Sequence, residues 1–335
     1  MSVLVTGGAG YIGSHMVLEL LDAGEQPVVL DNLSTGFRWA VPEGVPLIIG
    51  DFGDQALVDQ VIADHGVTAI IHFAAKIVVP ESVADPLSYY ENNTAKARNL
   101  IACAVKGGVK HFIFSSTAAV YGEPKANPVT ENEPLAPVSP YGRSKLMVEW
   151  MLEDVSRAHD FKHVVLRYFN VAGADPKGRT GQSTPNATHL IKVAVQTALG
   201  HRKDMEVFGT DYPTPDGSCL RDYIQVSDLV RAHMDALRYL RKGGESLTCN
   251  CGYERGYSVL DVINVVKKVS GVDFRVKLSG RRPGDPAAIV AGNARVREKL
   301  GWKPLFDDLS QIVTQALNWE RRLHNRQNQE SGKKE

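Results

Sequence analysis

Eight residues near the start of the chain, Thr6-Gly7-Gly8-Ala9-Gly10-Tyr11-Ile12-Gly13, restrict its fold more than any other stretch. They follow a short apolar run, Val3–Thr6, and lead into a helix-like segment, Ser14–Ala23. Gly8, Gly10 and Gly13 satisfy G-x-G-x-x-G, while Gly7, Gly10 and Gly13 give G-x-x-G-x-x-G. Glycines so placed permit a tight turn, close approach of the backbone to a pyrophosphate, and close packing of helix on strand. The pyrophosphate then sits at the positive end of the helix. The spacing alone also arises in glycine-rich hairpins, so the surroundings decide. A strand before, a helix after and an acidic residue, Asp31, ending the next apolar run all agree on a dinucleotide-binding βαβ unit. Asp31 is placed to hydrogen-bond an adenosine ribose diol and to repel a 2′-phosphate, which favours NAD over NADP.

The rest of the first half repeats the alternation. Apolar runs at Val28–Asp31, Leu47–Asp51, Ala69–Phe73, His111–Ser115 and His163–Tyr168 are nearly continuous, as expected of strands covered on both faces. Between them lie helical patterns at Gln55–His65, Thr94–Lys106 and Tyr141–Arg157. This predicts an α/β chain with a Rossmann-type, doubly wound parallel sheet. From about Val171 Gly, Pro and Asp become frequent, which predicts a smaller mixed α/β region at the carboxyl ends of the strands. The expected division is 1–172 for NAD, 173–324 for substrate with some segments returning to the main sheet, and a loose polar tail over 325–335.

Charge excludes some roles. Lys+Arg and Asp+Glu are both 38, a formal net charge of zero, so nothing points to nucleic acid or an anionic membrane surface. No apolar run approaches the ~18 residues of a membrane span. The start of the chain shows no secretion leader, and Cys103, Cys219, Cys249 and Cys251 fit reduced, buried thiols, so a cytoplasmic protein without a metal site is expected.

A second signal is Tyr141-Gly142-Arg143-Ser144-Lys145, which opens a helical segment after Ser139-Pro140. Tyr141 and Lys145 lie at i and i+4 on one helix face. A free phenol titrates near ~10 and is a poor base at neutral pH; a nearby ammonium and a positive nicotinamide ring would stabilise its phenolate. A third is Phe114-Ser115-Ser116-Thr117 at a strand end, whose hydroxyls could bond a substrate oxygen.

With these in hand, the chain resembles the extended short-chain dehydrogenase/reductase family, and within it the UDP-glucose 4-epimerase branch, over roughly residues 1–320. The resemblance rests on Thr6–His15, Asp31–Ser34, His72–Ala75, Tyr89–Asn93, Phe114–Gly122, Ser139–Lys145, Arg167–Asn170, Phe208–Tyr212, Asp216–Ile224 and Arg281–Asp285. It implies reversible inversion at carbon 4 of a UDP-hexose, with UDP-glucose and UDP-galactose as the pair. Tyr141 would remove the 4-hydroxyl proton, Thr117 would share that oxygen, and the 4-ketose would turn over before re-reduction. For NAD the resemblance implies Gly7, Gly10, Tyr11, Ile12, Gly13, Asp31, Asn32, Asp51, Phe52, Phe73, Ala74, Ala75, Asn92, Ser115, Tyr141, Lys145 and Phe169. For the UDP-sugar it implies Asn170, His189, Val207, Phe208, Arg221, Arg282, Asp285 and Ile289 with Thr117 and Tyr141. It also implies a homodimer built on the helices around Tyr89–Lys106 and Ser144–Arg157.

Three positions depart from the family pattern: Lys76 is displaced by one residue from a phosphate-contacting Lys, His189 replaces an Asn, and Ile289 stands where sugar size is gated. Alternatives of the same fold are a 4-epimerase of UDP-N-acetylglucosamine or of UDP-xylose and UDP-arabinose. A nucleotide-sugar dehydratase would need an acid and a base after Thr117, where Ala118-Ala119 stand. A non-catalytic NAD sensor would need no Tyr141, Lys145 and Thr117 set.

Overall fold

The structure, a computed structural model, describes residues 1–185, 187–282 and 285–331, with side chains as far as 326. Its strands are β1 Ser2–Thr6, β2 Gln26–Asp31, β3 Leu47–Ile49, β4 Val67–His72, β5 His111–Thr117, β6 Lys162–Tyr168, β7 Asn170–Ala172, β8 Met205–Phe208, β9 Leu220–Gln225, β10 Leu247–Cys251, β11 Gly256–Ser258, β12 Val276–Ser279 and β13 Ala288–Ile289. Its α-helices are α1 Tyr11–Asp22, α2 Gln55–His65, α3 Val79–Ala84, α4 Pro86–Tyr89, α5 Lys96–Lys106, α6 Pro140–Ala158, α7 Leu190–Ala198, α8 Val226–Arg241, α9 Val259–Ser270, α10 Ala294–Leu300 and α11 Leu309–Ser331.

Seven parallel strands form the main sheet in the order β10-β6-β5-β4-β1-β2-β3. Alternate side chains leave its two faces, which explains the continuous apolar runs. Val3, Val5, Val29, Ile71, Ile113 and Val164 face a core shared with α1 and α8. Leu4, Val28, Leu30, Ile70, Phe112 and Val165 face a second core shared with α2, α5 and α6. Each fully buried aliphatic side chain of this kind contributes about 1.5–3 kcal/mol. The chain runs outward from β1 to β3, then crosses back so that β4 lies on the other side of β1. That reversal opens a crevice at the carboxyl ends of β1 and β4, the place where open α/β sheets hold ligands.

The second region is built on β9, which pairs in parallel with β7 and β13 and antiparallel with β11. A separate parallel pair, β8 with β12, and helices α7, α9 and α11 complete it. Two pieces of the second half return to the first: α8 packs beside α1, and β10 extends the main sheet next to β6. Of the expected loose tail over 325–335, residues 325–331 continue α11. α11 continues to Ser331, where its buried side holds Ile312, Val313, Leu317 and Leu323; residues 332–335 lie outside the described residues, as do Asn186 and the Pro283-Gly284 pair of the Arg281–Asp285 motif.

Candidate active site

The glycine turn lies at the crevice. Gly7 has φ +72°, and Gly10 begins α1 with no side-chain cap on the first helical turn. The first-turn N–H groups of a helix have no partner within it, so they are available to an anion. A Cβ on Gly13 would come 2.1 Å from the Gly7 carbonyl oxygen, so turn and helix are in contact there. A Cβ on Gly10 would meet nothing closer than 3.3 Å, so that side of the turn is open. Tight where helix meets strand and open where a phosphate would lie, the turn fits a dinucleotide. Tyr11 donates to the Gly173 carbonyl at 2.8 Å and Ser14 bonds Thr180 at 2.9 Å, so the second region closes over the first turn of α1. Ile12 packs into the core beneath.

Asp31, buried at the end of β2, accepts from the backbone N–H groups of Ala9 at 2.9 Å and Leu33 at 2.8 Å. These bonds tie its carboxylate to the turn it would serve. Asn32 caps the following bend by accepting from Ser34 at 3.0 Å. Asp51 accepts from Gly53 at 2.8 Å and pairs with Lys96, and Phe52 is buried against His72. Phe73 and Ala74 follow β4 beside Gly7, and the Phe73 ring lies 4.8 Å from His233. Ala75 leads on to Lys76, whose amide donates to Asn93. The Lys76 ammonium turns to Ser88 at 3.2 Å and Glu81 at 3.5 Å, away from the glycine turn. Asn92 sits in a π-helical turn, Tyr90–Ala95, that joins α4 to α5, and donates to Asn93 at 3.0 Å.

Ser139 caps α6 by accepting from Gly142 at 3.2 Å, with Pro140 at its first position. This places Tyr141 in the first turn, buried against the end of β5, where the Thr117 hydroxyl favours the ionised form of its phenol. Thr117 Oγ1 also accepts from Ala119 at 3.1 Å. Lys145, one turn further on, is buried with its ammonium 4.4 Å from the centre of the Phe114 ring. Burial pushes the Tyr141 phenol well up, with Tyr168 adding to the rise and Thr117 opposing it. Burial also pulls Lys145 down to about 7, opposed by the Glu149 carboxylate. The phenol is therefore governed first by burial, which the expectation of a Lys145-lowered phenol did not take into account. The Ser115 hydroxyl is turned to His233, 3.1 Å away. Phe169, between β6 and β7, packs with Ala118, Tyr121, Leu146 and Ile289.

Two buried features escaped the sequence reading. Asn93 donates to the Lys76 carbonyl at 2.9 Å and to Ser144 at 3.1 Å, joining the loop after β4 to α6. Glu149 and Arg167 form a buried forked ion pair beneath the catalytic face. Glu149 follows Lys145 by one helical turn, a spacing visible in the sequence; its partner from β6 was not.

On the second region, Arg221 of β9 and Arg282 converge on Asp285. Arg282 Nε donates to Asp285 at 2.9 Å, and an Arg221 nitrogen lies 3.8 Å from the other carboxylate oxygen. The Arg282 guanidinium also lies 4.7 Å from the centre of the Phe208 ring, next to buried Val207 in β8. Ile289 pairs with Arg221 across β13 and β9. Asn170, on β7, donates to the Asp222 carbonyl at 3.3 Å. Asn170 and His189 line a cleft between β7 and α7, and His189 bonds Gln182 at 2.8 Å. Burial holds the His189 imidazole below its ordinary range.

A dinucleotide groove, a buried Tyr/Lys helix face and a strand-end hydroxyl, met by a pair of arginines, define a nucleotide-dependent enzyme acting on an anionic substrate. The chain belongs to the NAD dependent epimerase/dehydratase family, whose profile matches residues 3–252. It is 57% identical to a UDP-glucose 4-epimerase of Azospirillum brasilense over 321 residues, 96% of this chain and 92% of that one. The crystal structure of UDP-glucose 4-epimerase from Brucella ovis in complex with NAD is 42% identical, with a TM-score of 0.92 over 95% of this chain and 97% of that one. That of Bifidobacterium longum, in complex with NAD+ and UDP, is 37% identical, with a TM-score of 0.91 over 96% and 98%.

Proposed function

We propose that the protein interconverts UDP-glucose and UDP-galactose by transient oxidation at carbon 4. The observation that carries this is the buried face of α6 with Tyr141 and Lys145 one turn apart, set beside Thr117 at the end of β5, at the crevice that holds the glycine turn. The turn, Asp31 and the Phe73–Ala75 segment would hold NAD, which would supply a hydride acceptor and donor for carbon 4 that is regenerated within each turnover. Tyr141 takes the 4-hydroxyl proton and later gives it back, while Thr117 fixes the oxygen. Lys145, together with the positive ring of the cofactor, would offset the burial that holds the Tyr141 phenol up. Arg221 and Arg282 bind the diphosphate by charge-assisted bonds, with Phe208 packed beneath and Asn170 and His189 on the uridine side. The nucleotide stays fixed while the hexose turns, so binding energy is concentrated on the part that does not react. Ile289, beside Ala118 and Phe169, bounds the sugar. Ala118 and Ala119 offer no acid or base for eliminating the 6-hydroxyl, which supports epimerisation over dehydration.

On this reading residues 1–172 hold NAD and 173–324 the UDP-sugar, with α8 and β10 returning to the first part and Asn170, Thr117 and Tyr141 of the first part reaching the substrate. A homodimer is supported by an exposed apolar patch on α3, α4 and α6, where Val83, Leu87 and Trp150 are 63%, 77% and 53% exposed. Four free, buried cysteines fit the reducing cytoplasm. Among the described residues no helix is long and apolar enough to cross a membrane. Turnover of UDP-galactose deuterated at carbon 4 tests the internal cycle: deuterium retained at carbon 4 of UDP-glucose supports it, and exchange with solvent overturns it.

A further inference from the structure

We propose that Glu149 is a positioning residue of the proton-transfer site, keeping the Lys145 ammonium charged and clamping the Thr117 end of β5 through Ser116. The proposal rests on the reading of Tyr141 and Lys145 given above, and concerns a residue that touches neither substrate nor cofactor. Tyr141, Lys145 and Glu149 follow one another at intervals of four on α6, so they stack along one face of the helix. All three are buried. The Glu149 carboxylate accepts from the Ser116 hydroxyl and from Arg167, whose Nε lies 3.1 Å from both of its oxygens.

Arg167 faces Ser116 across the β5–β6 register and donates to the Tyr121 hydroxyl at 2.9 Å. Tyr121 in turn donates to Asn250 of β10 at 2.6 Å. One carboxylate thus gathers α6, β5, β6 and, through Arg167, β10. Packing alone does not require this arrangement, because a buried ion pair can generally be exchanged for apolar residues of like volume without loss of stability. Lys145 meets the Phe114 ring from β5, and its charge reaches the buried His72 imidazole of β4, which burial lowers well below its ordinary range; Tyr141 precedes it on α6. Glu149 is the group that opposes the burial-driven loss of the Lys145 proton.

The test is Glu149→Gln, assayed as purified holoenzyme for bound NAD, KM and kcat across pH. Bound NAD and KM stay at the wild-type level. The alkaline limb of kcat moves to lower pH, with about a tenfold loss on that side for each unit of movement, and activity recovers toward acid. Glu149→Asp, which keeps the charge, restores the limb. Because Gln would leave Arg167 buried without its anion, the double replacement Glu149→Gln with Arg167→Met is made in parallel and shows the same movement. A wild-type pH profile in either charge-free variant, a loss of kcat equal at every pH, or failure of both to fold would each overturn the proposal. Tyr141→Phe serves as the control. If that variant turns over, the parent reading fails; if it is dead while Glu149→Gln keeps its profile, only this inference fails.

Discussion

Gly7 and Ala74 meet so closely that a Cβ on Gly7 would come 2.8 Å from the Ala74 amide nitrogen. The contact joins the turn after β1 to the end of β4, on either side of the point where the strand order reverses. Gly7 also holds φ +72°, which L side chains rarely adopt. Gly7→Ala is therefore expected to destabilise the fold by about 1–3 kcal/mol and to lower the NAD carried by the purified protein. Thermal unfolding with and without NAD, with cofactor content by absorbance, checks this; an unchanged melting point at full NAD content would contradict it.

Tyr141→Phe removes the group that moves the proton and leaves the ring that fills the site. Turnover should fall by about 10²–10⁴-fold with NAD still bound. Steady-state assay and cofactor release on denaturation measure both, and wild-type turnover would remove Tyr141 from the mechanism.

Arg282→Ala should act on binding. Arg282 donates to Asp285 and covers Phe208 without bonding the scaffold carbonyls that Arg221 holds at Leu220 and Pro286. Losing one charge-assisted contact of ~1.5–3 kcal/mol raises KM for the UDP-sugar by about 10–100-fold with kcat little changed. A fall in kcat at constant KM would place Arg282 elsewhere in the cycle.

Stability should depend on acidity through buried histidines. Burial lowers His15, His163 and His233 to about 4 from 6.5, and His72 well below its ordinary range. Below the unfolded value the unfolded chain binds more protons than the fold, so this stability is complete above 6.5 and is lost as pH falls toward 4. The midpoint of thermal unfolding should drop steadily across that window. A flat profile would mean that these rings are protonated in the fold.

The parallel sheet was legible because its strands are buried on both faces and so read as unbroken apolar runs, and because the glycine turn, Asp31 and the Tyr141–Lys145 pair are local in sequence. Arg167 against Glu149, Asn93 against Ser144, and His233 against Ser115 were not legible. Each joins residues far apart in the chain, and a lone buried Glu or Asn has no local signature. The return of β10 to the sheet edge was foreseen only in general terms, since its Cys-Asn-Cys run marks a strand but not a neighbour. The helix over 325–331 was not legible because Asn325-Arg326-Gln327-Asn328-Gln329-Glu330-Ser331 carries no apolar residue to mark a helical spacing. Dehydration of Lys145 and Tyr141 likewise belongs to packing, which spacing on a helix does not reveal.

Turnover of UDP-galactose by the purified protein with no added cofactor, read as UDP-glucose in a coupled assay, tests the central claim most directly. Formation of UDP-glucose is the predicted result, with NAD carried by the protein itself. Absence of turnover even after NAD is added would contradict it.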